Sequence, residues 1–221
     1  MNNKSIIFDL DDTLYNEIDY LKSAYKEIAT ALTKKSLGVH SVENIYNDLL
    51  FFYVQKKDAF QEIIIKYDFK NIFKEDLLNL YRNHYPSINL TAENRNLLQQ
   101  LIAKGYKLGL ITDGRSIQQR NKIKALNIEK YFEYILISEE FGKEKPNQAN
   151  YNYFVQLLGE SSFFYVADNV NKDFISPNQM GWKTICLLDN GKNIHKQQFE
   201  ISKVYLPHFK IQNLKEILNL I

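Results

Sequence analysis

The chain has 221 residues, 45% apolar and 24% charged, which is enough apolar material for a sizeable core and excludes a disordered chain. Lysine and arginine number 28 against 26 acids, and so weak a field (+2) gives no basis for a nucleic acid or an anionic membrane as partner. The single cysteine, Cys186, excludes an internal disulfide framework and any multi-cysteine metal site; it is expected to be an inert buried thiol.

The first apolar run, Ser5-Ile6-Ile7-Phe8, reads as a buried strand and stops at Asp9. It is shorter than a secretory core of roughly 7–15 residues or a membrane span of about 20, so a soluble, cytoplasmic protein is expected. From Glu17 to about Tyr85 only helical periodicity follows, as in Leu21, Tyr25, Ile28 and Leu32, then Ile45, Leu49, Phe52 and Tyr53. Phe60, Ile63, Ile64 and Tyr67 continue it, then Leu77, Leu78 and Tyr81. Residues 16–89 are therefore expected to be an inserted α-helical cap, with Pro86-Ser87 as the return hinge.

Beyond the insertion, helices and strands alternate. Helical stripes are Leu97, Leu98, Leu101 and Ile102; Ile117, Ile123 and Leu126; and Tyr151, Phe154, Val155 and Leu158. Between them, residues 106–111, 134–137, 163–167 and 184–188 are compact apolar runs, the pattern of strands covered on both faces. A last helix is expected over Ile211, Leu214, Ile217 and Leu218. The fold class is α/β: a Rossmann-like, doubly wound parallel sheet formed by residues 1–15 plus 90–221, interrupted by the cap.

In such sheets ligands sit beyond the carboxyl ends of the strands. After the first strand come Asp9, Asp11, Asp12 and Thr13, and after the second Thr112, Asp113 and Gly114. The third leads by a loop to Lys143, Lys145 and Pro146, and the fourth ends in Asp168, Asn169 and Asp173. Crowded carboxylates need a cation, and oxygen-only ligation favours a hard ion such as Mg²⁺. A lysine and backbone N–H groups facing the same ion make a pocket for a doubly charged oxyanion, of which phosphate is the commonest. A carboxylate at the metal is then a candidate nucleophile, and an acid two residues on can manage the leaving group's proton.

Phe8-Asp9-Leu10-Asp11-Asp12-Thr13-Leu14-Tyr15 resembles the signature of the haloacid dehalogenase superfamily in its phosphatase branch. Ile111-Thr112, Lys145-Pro146 and Val166-Ala167-Asp168 through Asp173 are similar to its other motifs, in the same order, and Gly181-Trp182-Lys183-Thr184 to the stretch that follows them. The resemblance implies Asp9 as nucleophile forming an aspartyl-phosphate and Asp11 as acid and then base. It implies an Mg²⁺ shell from Asp9, the Asp11 backbone carbonyl and Asp168, with Asp173 as a further metal-site acid that ligates directly or holds that shell in place. Thr112, with Asp113 and Gly114, would contact the substrate phosphoryl group, and Lys145 would offset charge on it and on the nucleophile. The chain departs from the family at Ala167, where Gly is usual, at Asp113, where Asn is frequent, and at Asn147, where Asp is frequent. Asp113 is read either as a substrate contact or as a cap for the following helix.

The expected activity is Mg²⁺-dependent hydrolysis of a small phosphorylated metabolite, a sugar phosphate or nucleoside monophosphate, by a monomer or homodimer. A dehalogenase has no use for Asp11, and a phosphomutase favours Gly where Asp12 stands. A phospho-accepting receiver module also gathers acids, Thr and Lys at strand ends, but is only about 120 residues long and lacks a helical insertion. Lys143 competes with Lys145 for the lysine role, and Asp168 and Asp173 compete as caps of a helix near 171–180. His40, His84, His195 and His208 show no ligand spacing and are read as surface residues.

Overall fold

The computed structural model describes residues 4–221. Its elements in chain order are β1 (Lys4–Phe8), α1 (Glu17–Lys35), α2 (Val42–Val54), α3 (Ala59–Lys66), α4 (Lys74–Asn83), α5 (Ala92–Ala103), β2 (Lys107–Thr112), α6 (Ser116–Leu126), β3 (Tyr134–Ile137), α7 (Ser138–Phe141), α8 (Gln148–Leu158), β4 (Ser162–Ala167), α9 (Ile175–Gln179), β5 (Lys183–Leu187) and β6 (Phe209–Ile211). The chain separates into two compact units, one of the residues up to Ile18 with Asn89–Ile221, the other Asp19–Ile88.

The first unit is built on a six-stranded sheet of order β3-β2-β1-β4-β5-β6 in which each neighbouring pair is parallel. Parallel strands carry helices on both faces, so alternate residues of one strand enter different cores. Ile7, Ile111, Phe163, Tyr165 and Ala167 share one buried cluster with Tyr151, Phe154 and Leu158 of α8. Strand order reverses beside β1, and Phe8 pairs with Val166, so the loops that leave β1 and β4 start next to each other. An open sheet binds its ligands at such a point. The acids after the two strands are neighbours because of this register.

Capping residues start the helices that reach the sheet. Thr91 accepts from the Asn94 N–H at 3.1 Å to open α5, and Asn147 accepts from the Ala149 N–H at 3.0 Å to open α8. Asn147, a departure from the family pattern, thus does local structural work. The expected C-terminal helix is not formed: Ile211 ends strand β6, and Leu214–Asn219 is a 3₁₀ turn whose Leu214 and Ile217 are buried. Pairing with β5 claims the backbone of Ile211, which periodicity alone could not reveal.

The second unit is helical. Tyr20, Leu21, Tyr25, Ile28 and Leu32 of α1 are buried, as are Ile45 and Leu49 of α2, Phe60 and Ile63 of α3 and Leu77 of α4. Edge-to-face rings such as Tyr25–Phe60, with centroids 5.9 Å apart, fill its interior. His84, read as a surface residue, is buried here, its ring 4.7 Å from that of Tyr20 and its Nδ1 2.9 Å from the Tyr81 carbonyl. No helix among the described residues is long and apolar enough to cross a membrane.

Two sheet-side positions give opposite stability predictions. A Cβ on Gly109 would sit 2.4 Å from Phe154 Cε1 and 2.7 Å from Ile7 Cδ1, so Gly109→Ala should lower stability by about 1–3 kcal/mol through overpacking. Asn150 is fully buried with neither Nδ2 nor Oδ1 hydrogen-bonded, so Asn150→Leu should raise stability by about 1–3 kcal/mol. Urea unfolding of both variants checks these signs.

Candidate active site

Beyond β1 the chain turns sharply, and Asp12 takes a left-handed conformation (φ 54°). An Asp tolerates this when its side chain is held locally. Here the Asp12 carboxylate accepts from the Glu17 N–H at 2.7 Å, at the start of α1, and from the Ile194 N–H at 2.8 Å. The turn lines a cavity of about 140 Å³ together with Glu17, Thr112, Asp113, Lys145, Asp168, Asn169, Lys172, Asp173 and His195.

Asp9, Asp168 and Asp173 each offer a carboxylate oxygen within 4.8 Å of the others, and all three are buried. Lys145, its side chain 1% exposed, places Nζ 2.6 Å from Asp9 Oδ1 and 2.8 Å from Asp173 Oδ1. The remaining Asp173 oxygen accepts from the Asn169 N–H at 3.0 Å, and Asp168 Oδ2 accepts from Asn193 Nδ2 at 2.8 Å. Asp173 therefore has both oxygens engaged by the protein. It does not cap α9, whose N-cap, Phe174, makes no side-chain bond. Of the two candidate lysines, Lys145 is the buried one that pairs with Asp9 and Asp173, whereas Lys143 is exposed.

One ammonium among three buried carboxylates leaves a negative excess, and the titration of the acids reflects it. Burial, reinforced by Asp9 and Asp173, pushes Asp168 up to about 9. Burial also raises Asp9, to about 7, although Lys145 opposes it. Burial alone would depress Lys145, but Asp173 and Asp9 hold it well above its usual range. A divalent cation with oxygen ligands suits this donor set, since it neutralises the excess and matches the hard carboxylate atoms.

Asp11 points elsewhere. Its Oδ1 accepts from Tyr15 Oη at 2.5 Å and from Lys122 Nζ at 2.8 Å, and its Oδ2 accepts from Gln119 Nε2 at 2.8 Å. Its carboxylate lies outside the Asp9–Asp168–Asp173 group, so as a metal ligand it has only the backbone carbonyl to offer. Burial would raise its pKa, but the charge and hydrogen bond of Lys122, with Tyr15 and Gln119, hold it below the usual carboxylate range. Glu17, whose Oε1 is 3.6 Å from Lys122 Nζ, is pushed up to about 8 by burial and by Asp11.

Thr112 is buried, and its hydroxyl accepts from Gln119 Nε2. Asp113 does not cap α6. It accepts from the Lys145 N–H at 3.0 Å and pairs with Lys172 Nζ at 2.8 Å, while Glu139 accepts from the Ser116 N–H at that helix start. Gly114 is not among the residues that line the cavity, and its N–H donates to Ser138 Oγ at 2.9 Å. Sequence reasoning missed Lys122, Lys172 and Gln119, whereas Glu17, with Tyr15 and Asn16 at the entry to the helical insertion, reads from the sequence as a hinge or substrate contact. The signal for two of them was present in α6: Gln119, Lys122, Ile123 and Leu126 form its buried stripe, whereas Ile117, expected to be buried, is 56% exposed. Cys186 is buried as expected, and burial raises its thiol pKa.

A glyceraldehyde 3-phosphate phosphatase from Methanocaldococcus jannaschii is 29% identical over 227 residues, covering 99% of this chain and 96% of its own. A phosphoglycolate phosphatase from Aquifex aeolicus is 26% identical over 83% of this chain and 84% of its own. Among solved structures, a HAD phosphatase from Thermococcus onnurineus shares the fold with a TM-score of 0.61 at 21% identity, covering 98% of this chain and 97% of that one. Residues 6–187 match the family model of haloacid dehalogenase-like hydrolases, a span from β1 to the end of β5 that contains every acid described above, and the chain belongs to that family.

Proposed function

We propose that this protein is a magnesium-dependent phosphatase that hydrolyses a small phosphorylated metabolite through an aspartyl-phosphate on Asp9. The observation that carries the reading is the buried group of Asp9, Asp168 and Asp173 around the Lys145 ammonium, at the point where strand order reverses. Its relatives' names, a glyceraldehyde 3-phosphate phosphatase and a phosphoglycolate phosphatase, support a substrate of two or three carbons over a larger sugar phosphate or nucleotide.

Asp9 and Asp168, with the Asp11 backbone carbonyl, would hold the cation, and Asp173 would keep Lys145 and the Asn169 backbone in place around it. A bound Mg²⁺ supplies charge neutralisation for the nucleophile and the phosphoryl oxygens. Lys145 and Thr112 face the same oxygens, and Asp113, whose charge is matched by Lys172, lines the wall without repelling them. Asp9 Oδ forms a bond to phosphorus as the ester P–O bond breaks, and the leaving oxygen takes a proton from the minor protonated form of Asp11, the form that Lys122 disfavours. Water then attacks phosphorus and gives its proton to Asp11, which frees Asp9 and inorganic phosphate. Fixed charges in a buried site cost no reorganisation as charge develops, which is where most of the rate arises.

Asp9→Asn keeps the side-chain shape and removes the nucleophile. Its turnover of p-nitrophenyl phosphate with Mg²⁺ should fall by about 10⁴-fold or more while circular dichroism is unchanged. Retained hydrolysis in that variant refutes the assignment, as does full activity in EDTA.

A second expectation concerns pH. Asp168 near 9 and Asp9 near 7 are raised acids, so the stability they contribute is present at low pH and lost as pH rises through those values. A cation reverses that loss, and below the raised values it must first displace protons. The rise in melting temperature on replacing EDTA by millimolar Mg²⁺ should therefore grow steadily from about pH 6 to about pH 9. A rise independent of pH contradicts this.

A further inference from the structure

We propose that Lys122 is a positioning residue for Asp11, an assignment that rests on the phosphatase reading and adds to it a part of the machinery on α6. Lys122 has 1% of its side chain exposed, and lysine is almost never found so deep without a partner that requires it. The buried stripe of α6 would be filled more cheaply by an apolar side chain, because an ion pair in the interior seldom stabilises more than well-packed hydrocarbon. What Lys122 does contribute is direction. Its Nζ holds Asp11 Oδ1 at 2.8 Å, while Gln119, one turn earlier, holds Asp11 Oδ2 at 2.8 Å through Nε2. One helix therefore grips both oxygens of a single carboxylate from two side chains, and the carboxylate cannot rotate without breaking one of those bonds.

Gln119 Nε2 also donates to Thr112 Oγ1, so the same helix ties Asp11 to the strand end that faces the phosphoryl group. Glu17 Oε1, 3.6 Å from Lys122 Nζ, gives the ammonium a second anchor that does not depend on Asp11. The cavity is lined by Asp11, Glu17 and Thr112 and not by Lys122, so Lys122 acts on the reaction through the side chains it holds, Asp11 at the shorter distance. A group that first gives and later takes a proton at the leaving oxygen needs its oxygens held in one direction, because general acid catalysis depends on geometry first.

The test compares Lys122→Met, Asp11→Asn and the double variant in the full-length protein with Mg²⁺, on phenyl phosphate and p-nitrophenyl phosphate. These two esters are similar in shape but differ in how much the departing oxygen needs a proton. The ratio of kcat/KM on phenyl phosphate to kcat/KM on p-nitrophenyl phosphate, which reads the step in which the ester oxygen departs, should fall at least about tenfold in Lys122→Met, in the same direction as in Asp11→Asn. The double variant should match Asp11→Asn, since Lys122 has nothing left to orient. A purely structural lysine would lower both substrates equally and leave the ratio unmoved. An unchanged ratio in folded Lys122→Met, or a double variant well below Asp11→Asn, overturns the assignment. Where Lys122→Met alone does not fold, the comparison of the double variant with Asp11→Asn decides the matter by the same criterion. Unmodified protein that hydrolyses neither ester removes the phosphatase reading and this role together, whereas normal turnover with an unmoved ratio removes this role alone.

Discussion

Lys145 Nζ lies 2.6 Å from Asp9 and 2.8 Å from Asp173, in a site that also buries Asp168. Without that ammonium, three carboxylates brought out of water onto adjacent strand ends would repel one another strongly. Removing one partner from such a buried pair typically costs about 3–5 kcal/mol, because the remaining charge is left uncompensated. The Lys145 loop is in turn fixed from two sides: its backbone N–H donates to Asp113, and Ser176 of α9 donates to the carbonyl of Pro146. The placement of a single positive charge thus constrains the loop after β3, the start of α9 and the end of β1 at once.

Around this centre three further acids are held by contacts of their own. Asp113 pairs with Lys172, Asp11 with Lys122, and Asp12 accepts two backbone N–H groups. These contacts lessen the mutual repulsion of the outer acids, and the negative excess stays concentrated at Asp9, Asp168 and Asp173. The long segment between β5 and β6 belongs to the same arrangement: Asn193 bonds Asp168, and Gln197 donates to the carbonyls of Asp168 and Leu187. Irregular backbone beyond the sheet edge thereby fixes a carboxylate that belongs to a strand end.

Strand positions and the acids after them were legible because parallel strands write continuous apolar runs, and because a polar residue ending such a run sits at the ligand side of the sheet. The helical periodicity from Leu21 to Tyr81 was legible for the same local reason. Less visible were features decided by contacts far along the chain. Ile117 faces solvent and Lys122 is buried because Asp11, more than a hundred residues earlier, draws α6 round by its charged edge. Ile211 becomes a strand because β5 offers it an open edge, and His84 is buried because Tyr20 provides a ring to pack on. A charged or amide side chain on a helix carries no apolar period to mark it as buried, and in α6 two such residues, Gln119 and Lys122, hold Asp11.

Parallel pairing also shapes how the chain is made. Ile6, Ile7 and Phe8 are fully buried in β1, yet both neighbours of that strand, β2 and β4, come from residues 107–112 and 162–167. At about 5–20 residues per second on the ribosome, the nascent β1 waits roughly ten seconds or longer for its second neighbour. During that interval an oily strand with two open edges is available to any other growing chain. The dense acids that follow it, Asp9, Asp11 and Asp12, then act as gatekeepers against aggregation, a service rendered before any of them meets a ligand.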